Sequence, residues 1–389
     1  MSTNDILNIQ LKLFPIPELE NNDILTSKFE YDLSEYPARQ IYSTGFNYYV
    51  HQSYGLFDDL MKKQGSKNFF WVVNNFEIYL QDQDKKNELI DNVKDYLSLD
   101  KSNLIEDSLF FQMWEMNMIF KFIAKNAKIN IMTINDTKRE IVKYSINKYV
   151  ERMNNLSKVA STLKYENKNS DLAIILLDNP TTLLDIESNY FTTMMTNTFG
   201  ALNNLNENGS LIIELDDLFT NPSLKYICMI KALFKQVYVY KPYYSRLVTS
   251  QKYLVCSGFD DKSFKKVLKK MENFVDQINK QKTYVADFMT DIKVPNSIMI
   301  TITFINVYLS GLQHREKNKI IKYIESEDYF GEKYKDYLDS QLLAVQYFLS
   351  TFFPIDANDY NTNINKFKSD LTNNAEKIKN YKTSQSIEM

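Results

Sequence analysis

Charged side chains near predicted strands mark where this 389-residue chain could support chemistry. Asp178 comes directly after the apolar run Leu172–Leu177, which is typical of a buried strand in a parallel sheet. Open α/β sheets place their sites at the carboxyl ends of their strands, so we expect Asp178 to lie at such a site. Lys241, Arg246 and Lys252 belong to a loop between two later strands, where they could together contact phosphate groups.

The elements that must position these residues follow an α/β pattern. Short apolar or β-branched runs predict strands at Ala127–Ile134, Asp171–Leu177, Leu211–Leu215, Val237–Tyr240 and Tyr253–Cys256. Segments with helical spacing of apolar residues lie between them, at Ile141–Met153, Ile186–Leu205 and Asn221–Phe234. Because the last strand returns after a loop, the pattern predicts the end of an α/β sheet with a hairpin-like final connection.

The loop after the Val237–Tyr240 strand carries a recognisable motif. It contains Lys241-Pro242, then Ser245-Arg246, and then Ser250 and Tyr253. In these residues the chain resembles the FtsJ-like (RrmJ-like) 2′-O-methyltransferases, most closely the divergent branch encoded by large cytoplasmic DNA viruses. The resemblance covers residues from about 108 to 259. It implies an α/β fold class: a Rossmann-like methyltransferase core with a mixed N-terminal region and a helical C-terminal region.

The resemblance also implies four site positions. The family uses a Lys-Asp-Lys-Glu tetrad to position a ribose 2′-hydroxyl and to assist its deprotonation. The matching positions here are Gln112, Asp178, Glu214 and Gln251, so both lysines and the glutamate are replaced. A site without its base is not expected to transfer methyl groups. Asp178 and Glu214 would be neighbours, and one would take up a proton because like charges close together resist ionisation.

The family has a glycine-rich loop after the first strand of its core, where backbone amides approach the methionine end of S-adenosylmethionine. Here that loop is Asn135-Asp136-Thr137, and no glycine occurs between Gly65 and Gly200. Only glycine permits so close an approach of the backbone. We therefore expect no cofactor, and we expect Asp136 to cap the next helix. The alternative is a relocated cofactor loop, with S-adenosylmethionine as the cofactor of an active enzyme.

Composition argues against several other classes of protein. The net charge of −3 gives no overall attraction to nucleic acid, although a local basic face is compatible with it. Two cysteines, Cys228 and Cys256, are too few for a disulfide framework and suit a reducing compartment. The histidines, His51 and His314, are far apart in sequence, so no metal site is expected. We find neither a signal peptide nor a run near the roughly 20 apolar residues that span a bilayer.

We divide the chain into four regions. Residues 1–105 form an α+β region, 106–260 the methyltransferase-fold core, 261–355 a helical region and 356–389 a polar tail. In the first region we predict an extended arm at Leu11–Glu20, a strand or strand pair at Asn68–Leu80 and a helix at Asn87–Leu97. The aromatic stretch Tyr42–Tyr54 favours either core packing or a protein interface, or else a base-stacking surface.

The helical region and the tail carry two further predictions. One helix is expected to bury a face made of Leu338, Leu342, Val345 and Leu349. The tail is expected to hold one surface helix or to be partly ordered.

By analogy with the family, the resemblance implies a catalytically inactive homologue. It would act as a scaffold, a stimulatory subunit or a virion component, with an active capping enzyme or a viral assembly as its protein partner. The expected location is cytoplasmic, in a viral factory or a virion. One alternative is an active RNA or mRNA-cap 2′-O-methyltransferase with a displaced site. Another is an RNA-binding module without chemistry, in which Lys241, Arg246 and Lys252 contact the RNA.

Overall fold

A computed structural model of the chain describes most of its residues. These are residues 12–19, 23–41, 72–97, 103–123, 127–157, 160–178, 185–281, 283–327 and 329–387, with 45, 55–56, 59–60 and 62.

A seven-stranded sheet forms the centre of the described structure. Its strands are β1 (Lys12–Pro15), β3 (Lys128–Ile134), β4 (Thr162–Lys164), β5 (Ser170–Ile175), β6 (Leu205–Leu215), β7 (Phe234–Lys241) and β8 (Lys252–Phe259). Their order in the sheet is β1-β7-β8-β6-β5-β3-β4. Strands β3 to β7 run parallel, whereas β8 is antiparallel to both of its neighbours, β6 and β7, and β1 is antiparallel to β7. A second, two-stranded sheet pairs β2 (Tyr31–Ser34) with β9 (Tyr284–Phe288). The predicted α/β class is confirmed.

Helices cover both faces of the large sheet, so its central strands are buried on each side. Along β5, Leu172 and Ile174 face one core and Ala173 and Ile175 face the other. This is why the run is apolar without alternation. The described helices are α1 (Asp23–Thr26), α2 (Glu77–Gln81), α3 (Gln83–Leu97), α4 (Ser108–Phe120), α5 (Arg139–Ser157), α6 (Ile186–Leu202), α7 (Asn221–Leu233), α8 (Asp261–Lys280), α9 (Asn296–Ser326), α10 (Glu332–Phe352) and α11 (Ala357–Ile387). Helices α3, α4, α5 and α10 contribute to one core, and α6, α7 and α8 to the other.

The N-terminal region agrees with the sequence in part. The predicted arm contains β1, which is an edge strand, and Pro15 is tolerated there because an edge strand has an unpaired side. The predicted helix at residues 87–97 lies within α3. The prediction of a strand over residues 68–80 is wrong at the C-terminal end of that segment, where the chain forms α2. Most of the aromatic stretch Tyr42–Tyr54 lies outside the described residues.

The C-terminal region is more closely integrated than its polar sequence suggested. In α10 the buried face contains Ala344, Val345 and Phe348, whereas Leu342 of the predicted face is 42% exposed. The polar tail forms the long helix α11, whose Phe367 stacks on Phe352 of α10 with ring centroids 5.7 Å apart. Among the described residues, no helix combines the length and the apolar character needed to cross a membrane.

Candidate functional site

A cavity of about 1020 Å³ lies at the carboxyl ends of β5 and β6. Its walls come from the loops that follow β3, β5 and β6, from the start of α4, from the β7–β8 loop, and from α2, α3 and α9. All four positions that match the family tetrad line it, together with Lys138, Asp216 and Arg246. The structure thus brings these four positions to one cavity, although they are spread over 140 residues of chain.

Glu214 is bound by several donors of the protein. Its Oε1 accepts a hydrogen bond from Gln251 Nε2 at 2.5 Å, and its Oε2 accepts one from the backbone nitrogen of Leu177 at 3.0 Å. The Lys138 ammonium lies 3.4 Å from the same Oε2 and donates to the carbonyl of Leu177 at 2.6 Å. The Glu214 side chain is 8% exposed, so its charge is balanced by a cation inside the protein.

This arrangement corrects the expected pair of carboxylates. Asp178 is exposed, and its Oδ1 accepts a hydrogen bond from Asn135 Nδ2 at 3.0 Å. The charged partner of Glu214 is Lys138 and not Asp178. Sequence reasoning missed Lys138 because it compared only positions that match the family motif. A lysine near the end of the degenerate loop was the available signal.

The loop after β3 is closed by its own side chains. Asn135 has a φ of 130°, a backbone conformation that favours glycine. Its Oδ1 accepts from Thr137 Oγ1 at 2.7 Å and from the backbone nitrogen of Lys138 at 3.1 Å. Asn135 thus holds the turn that leads into α5, whereas Asp136, the predicted cap, forms an ion pair with Arg139 at 2.7 Å.

Gln112 belongs to a buried hydrogen-bond network beneath the cavity. Its Nε2 donates to the carbonyl of Tyr244 at 3.1 Å, and its Oε1 accepts from Tyr253 Oη at 2.6 Å. Phe111, the preceding residue of α4, stacks on the Tyr244 ring with centroids 4.3 Å apart. Asp107 caps the start of helix α4, where its side chain accepts a hydrogen bond from the backbone nitrogen of Leu109. An amide in this network neither titrates nor carries charge.

Glu115, one helical turn after Gln112, anchors the β7–β8 loop. It is fully buried, and it accepts hydrogen bonds from Tyr240 Oη and from the backbone nitrogens of Tyr243 at 2.6 Å and Tyr244 at 3.0 Å. No sequence prediction singled out Glu115, and the structure gives it a role in positioning the cavity wall.

Two of the three predicted RNA-binding residues point into the protein. The Lys241 ammonium donates to the carbonyls of Thr249 at 2.8 Å and Gln251 at 2.7 Å. The Lys252 ammonium donates to the carbonyl of Asp216 and to that of Ser250, and burial lowers its pKa. Both side chains hold the ends of the loop together, and neither ammonium is placed to meet a phosphate.

Arg246, the third predicted residue, does line the cavity. Its Nε donates to Glu77 of α2 at 2.7 Å, so that the loop is tied to the N-terminal region. Burial raises the pKa of Glu77, and the charge of Arg246 acts in the opposite direction.

Further acids surround the end of β6. Burial raises the pKa of Asp216, which lines the cavity, and Lys252 partly offsets this. Glu187 of α6 is buried nearby, and its Oε1 accepts from the backbone nitrogens of Phe219 at 2.9 Å and Thr220 at 3.1 Å. No group of three or more His, Cys, Asp or Glu side chains within the described ranges is arranged to hold a metal ion.

Comparison with known proteins finds a sequence relative in a virus. An uncharacterized protein of Acanthamoeba polyphaga mimivirus is 23% identical over 242 residues, which are 60% of this chain and 63% of that protein. The chain thus matches less than two thirds of the length of this relative. No protein-family model matches the chain.

Among solved structures, similarity is found to methyltransferases. Human methyltransferase-like protein 13 in complex with SAH has 11% identity and a TM-score of 0.24, over 43% of this chain and 90% of that one. A phosphoethanolamine N-methyltransferase of Haemonchus contortus has 16% identity and a TM-score of 0.23, over 40% of this chain and 38% of that one. An S-adenosylmethionine-dependent methyltransferase of Clostridium acetobutylicum has 9% identity and a TM-score of 0.16, over 48% and 87%.

The strand order carries the description of the fold. A mostly parallel seven-stranded sheet with helices on both faces gives this chain a Rossmann-like α/β fold.

Proposed function

We propose that this chain is a methyltransferase-like protein that does not transfer methyl groups and acts by binding a protein partner. In this role it is a scaffold, a stimulatory subunit of an active capping enzyme, or a virion component. The observation that carries the proposal is the position of the Lys138 ammonium. It bridges the Leu177 carbonyl and the Glu214 carboxylate at the strand ends, where an α/β fold binds its ligand.

The residues at the strand ends do not fit S-adenosylmethionine. A cofactor loop must bring backbone amides to the ligand, and the loop after β3 instead directs the backbone nitrogen of Lys138 to Asn135 Oδ1. Asn135 Nδ2 and Lys138 Nζ both lie over the end of β5, within 3.4 Å and 2.6 Å of the Leu177 carbonyl. Side chains of the protein thus occupy the place from which a cofactor would be contacted.

The cavity also supports no general base in the family manner. Gln112 and Gln251 cannot accept a proton, and Glu214 is held by three donors, Lys138, Leu177 and Gln251. Both carboxylate oxygens of Glu214 are therefore already engaged by donors of the protein itself. Asp178 is exposed and bound to Asn135.

Calorimetric titration with S-adenosylmethionine and S-adenosylhomocysteine tests the proposal. We expect no binding by the wild-type chain. A micromolar dissociation constant, equivalent to about −8 kcal/mol, would contradict it.

The Lys138→Ala variant tests the closing role of the lysine. It leaves the buried Glu214 carboxylate without its cation, so we expect the free energy of unfolding to fall by about 1–3 kcal/mol. Lys143→Ala is the matched control, because Lys143 pairs with the exposed Glu140 on the same helix, and a change within about 0.5 kcal/mol is expected. If urea denaturation showed equal losses for the two substitutions, the ion pair of Lys138 with Glu214 would no longer support the proposal.

Pull-down experiments can test whether the chain binds a protein partner. The acidic balance of the chain and the aromatic stretch Tyr42–Tyr54 favour a protein interface, and the mimivirus relative supports a viral context, in a cytoplasmic factory or a virion. Pull-downs at low and high salt should recover the same protein, because a largely apolar interface responds little to salt. Recovery of RNA alone, lost at high salt, would contradict this interface.

The second candidate function is an active RNA or mRNA-cap 2′-O-methyltransferase with a displaced site. Two observations favour it: the cavity is large, and Lys138 places a lysine beside Glu214 even though the motif lysines are absent. A methyl-transfer assay on capped RNA separates the two functions. Activity that is abolished by Asp178→Ala, with an unchanged melting curve, would establish the enzyme; we expect no activity and at most a small loss of stability.

A further inference from the structure

A lysine-rich face occurs on α8, outside the site described above. Five lysines lie between residues 262 and 270 without an intervening acid, in a chain whose net charge is −3. Lys262, Lys266 and Lys269 are exposed and follow the spacing i, i+4, i+7, which places them on one side of the helix. We call these three residues the α8 lysine face.

Within the part of the chain that the structure describes, the three ammonium groups of this face form no ion pair. Lys265 pairs with Asp261, and Lys270 donates to the carbonyl of Ser27 at 2.7 Å. By contrast, no ion pair within 4.0 Å joins Lys262, Lys266 or Lys269 to a carboxylate of the described residues. Asp260, whose charge interacts with Lys266, is engaged as the cap of α8 through the backbone nitrogen and hydroxyl of Ser263.

The face lies at the opposite end of the sheet from the cavity. The first residue of α8, Asp261, donates its backbone nitrogen to Glu207 at 2.8 Å, near the start of β6. The cavity is reached at Glu214, near the end of the same strand. A ligand of the face is therefore distinct from a ligand of the cavity.

The chemistry of the face suits a thread-like polyanion. A rise of 1.5 Å per residue places Lys262 and Lys269 about 10 Å apart along the helix, so the face can meet two or three successive phosphates. The apolar side of α8, with Phe264, Val267 and Met271, is buried, so the helix cannot insert it into a bilayer. No exposed apolar side chain among residues 262–270 offers an anchor to a protein.

We propose that the α8 lysine face binds the phosphate backbone of a single-stranded nucleic acid without reading its sequence. The contact is made by three ammonium groups, and binding releases the counterions of the phosphates that they meet. This site lies outside the family motif and away from Lys241, Arg246 and Lys252.

The test uses the full chain and a fluorescently labelled 20-nucleotide strand, followed by anisotropy over a salt series. The variant replaces Lys262, Lys266 and Lys269 with alanine, which preserves helix propensity. The matched control replaces Lys322, Lys335 and Lys379, exposed lysines of α9, α10 and α11, and changes the net charge equally. RNA and DNA strands, a duplex, and vesicles containing phosphatidylserine are titrated in parallel.

We expect the α8 variant to lose at least about tenfold in affinity near 0.1 M salt and the control to lose much less. The slope of log affinity against log salt should become shallower by about 2, since each phosphate contact on a single strand contributes about 0.7. Equal losses in both variants, or wild-type binding that this substitution leaves unchanged, would overturn the proposal. So would the absence of wild-type binding, or binding to vesicles alone. None of these results bears on cofactor binding, so the proposed function is tested separately.

Discussion

At the scale of single residues, the buried acids around the cavity are satisfied in different ways. Glu214 has an ammonium partner, and Glu115 has three donors. Glu187 accepts hydrogen bonds only at Oε1, and its Oε2 is buried with no hydrogen-bond partner among the described residues. Burial raises the pKa of Glu187, and the charge of Asp217 raises it further. Burial without a cation partner therefore makes ionisation of Glu187 costly in the folded state.

The pH dependence of stability should report this residue. Because the folded-state pKa of Glu187 exceeds the unfolded value near 4.5, the folded protein binds more protons above that pH. The free energy of unfolding should therefore fall as pH rises through this window. The Glu187→Gln variant has no ionisable group at this position, so its free energy of unfolding should fall less than that of the wild type between pH 4.5 and 8. The difference between the two decreases should exceed the roughly 0.5 kcal/mol that is typical of surface substitutions.

Urea denaturation at several pH values measures the difference. Glu376→Gln, an exposed position on α11, is the control and should follow the wild type. Parallel pH profiles for the wild type and Glu187→Gln would show that Glu187 is not responsible.

At the scale of elements, the β7–β8 loop is held by α4. Glu115 accepts a hydrogen bond from a backbone nitrogen near the start of this loop. The ammonium groups of Lys241 and Lys252 donate to backbone carbonyls and hold its two ends together. Gln112 then contacts the carbonyl of Tyr244 within the loop. The cavity wall is thus built by polar contacts between residues that lie far apart in sequence.

Substitution of the buried Glu115 should disturb this wall more than substitution of an exposed acid would. Glu115→Ala leaves buried donors without an acceptor, and we expect the free energy of unfolding to fall by about 3–5 kcal/mol. Glu115→Gln retains one acceptor oxygen and should lose less, about 1–2 kcal/mol. Hydrogen exchange at the amides of Tyr243 and Tyr244 should accelerate in the alanine variant. Unchanged exchange at these two amides would rule out the anchoring role.

At the scale of the whole molecule, the four predicted regions share their cores. One cluster of buried residues contains Phe76 of α2, Phe111 of α4, Phe348 of α10 and Phe367 of α11. Helix α11 also covers the edge strand β1, where Asn374 Nδ2 donates to the carbonyl of Leu13 at 2.7 Å. The predicted boundaries at 105, 260 and 355 stay predictions, and the shared core indicates that the last region is needed for stability.

Removal of α11 tests that dependence. A chain ending at Asp356 exposes the surface under Ile364 and Phe367, two side chains whose burial is worth about 1.5–3 kcal/mol each. We expect a loss of at least about 3 kcal/mol in the free energy of unfolding.

Phe367→Ala should reproduce much of this loss, about 3–5 kcal/mol, within the full-length chain. Asn373→Ala, which is exposed on the same helix, should change stability by less than about 0.5 kcal/mol. A truncated chain as stable as the wild type would show that α11 is dispensable.

The sequence by itself determined the α/β class and most of its strands. Apolar runs such as the one ending before Asp178 depend on burial from both faces, and burial leaves a local signature in residue type. The positions that match the family motif also met in one cavity, because strand ends gather at the same edge of a parallel sheet. The polarity of α11, in contrast, concealed its docking, since a helix needs only a few apolar residues to be held in place.

Tertiary structure alone decided the electrostatics of the site. Lys138 meets Leu177 and Glu214, which are 39 and 76 residues away in sequence, and the donors to Glu115 lie 125 to 129 residues away. No local pattern encodes such pairings, because a side chain that carries charge can be exposed or buried in the same sequence context. Lys241 and Lys252 were candidate RNA contacts in one alternative, and both are buried, while the lysines of the α8 lysine face are exposed. Only the fold determines which charged groups face the interior, where their partners must be protein atoms, and which remain available to a ligand.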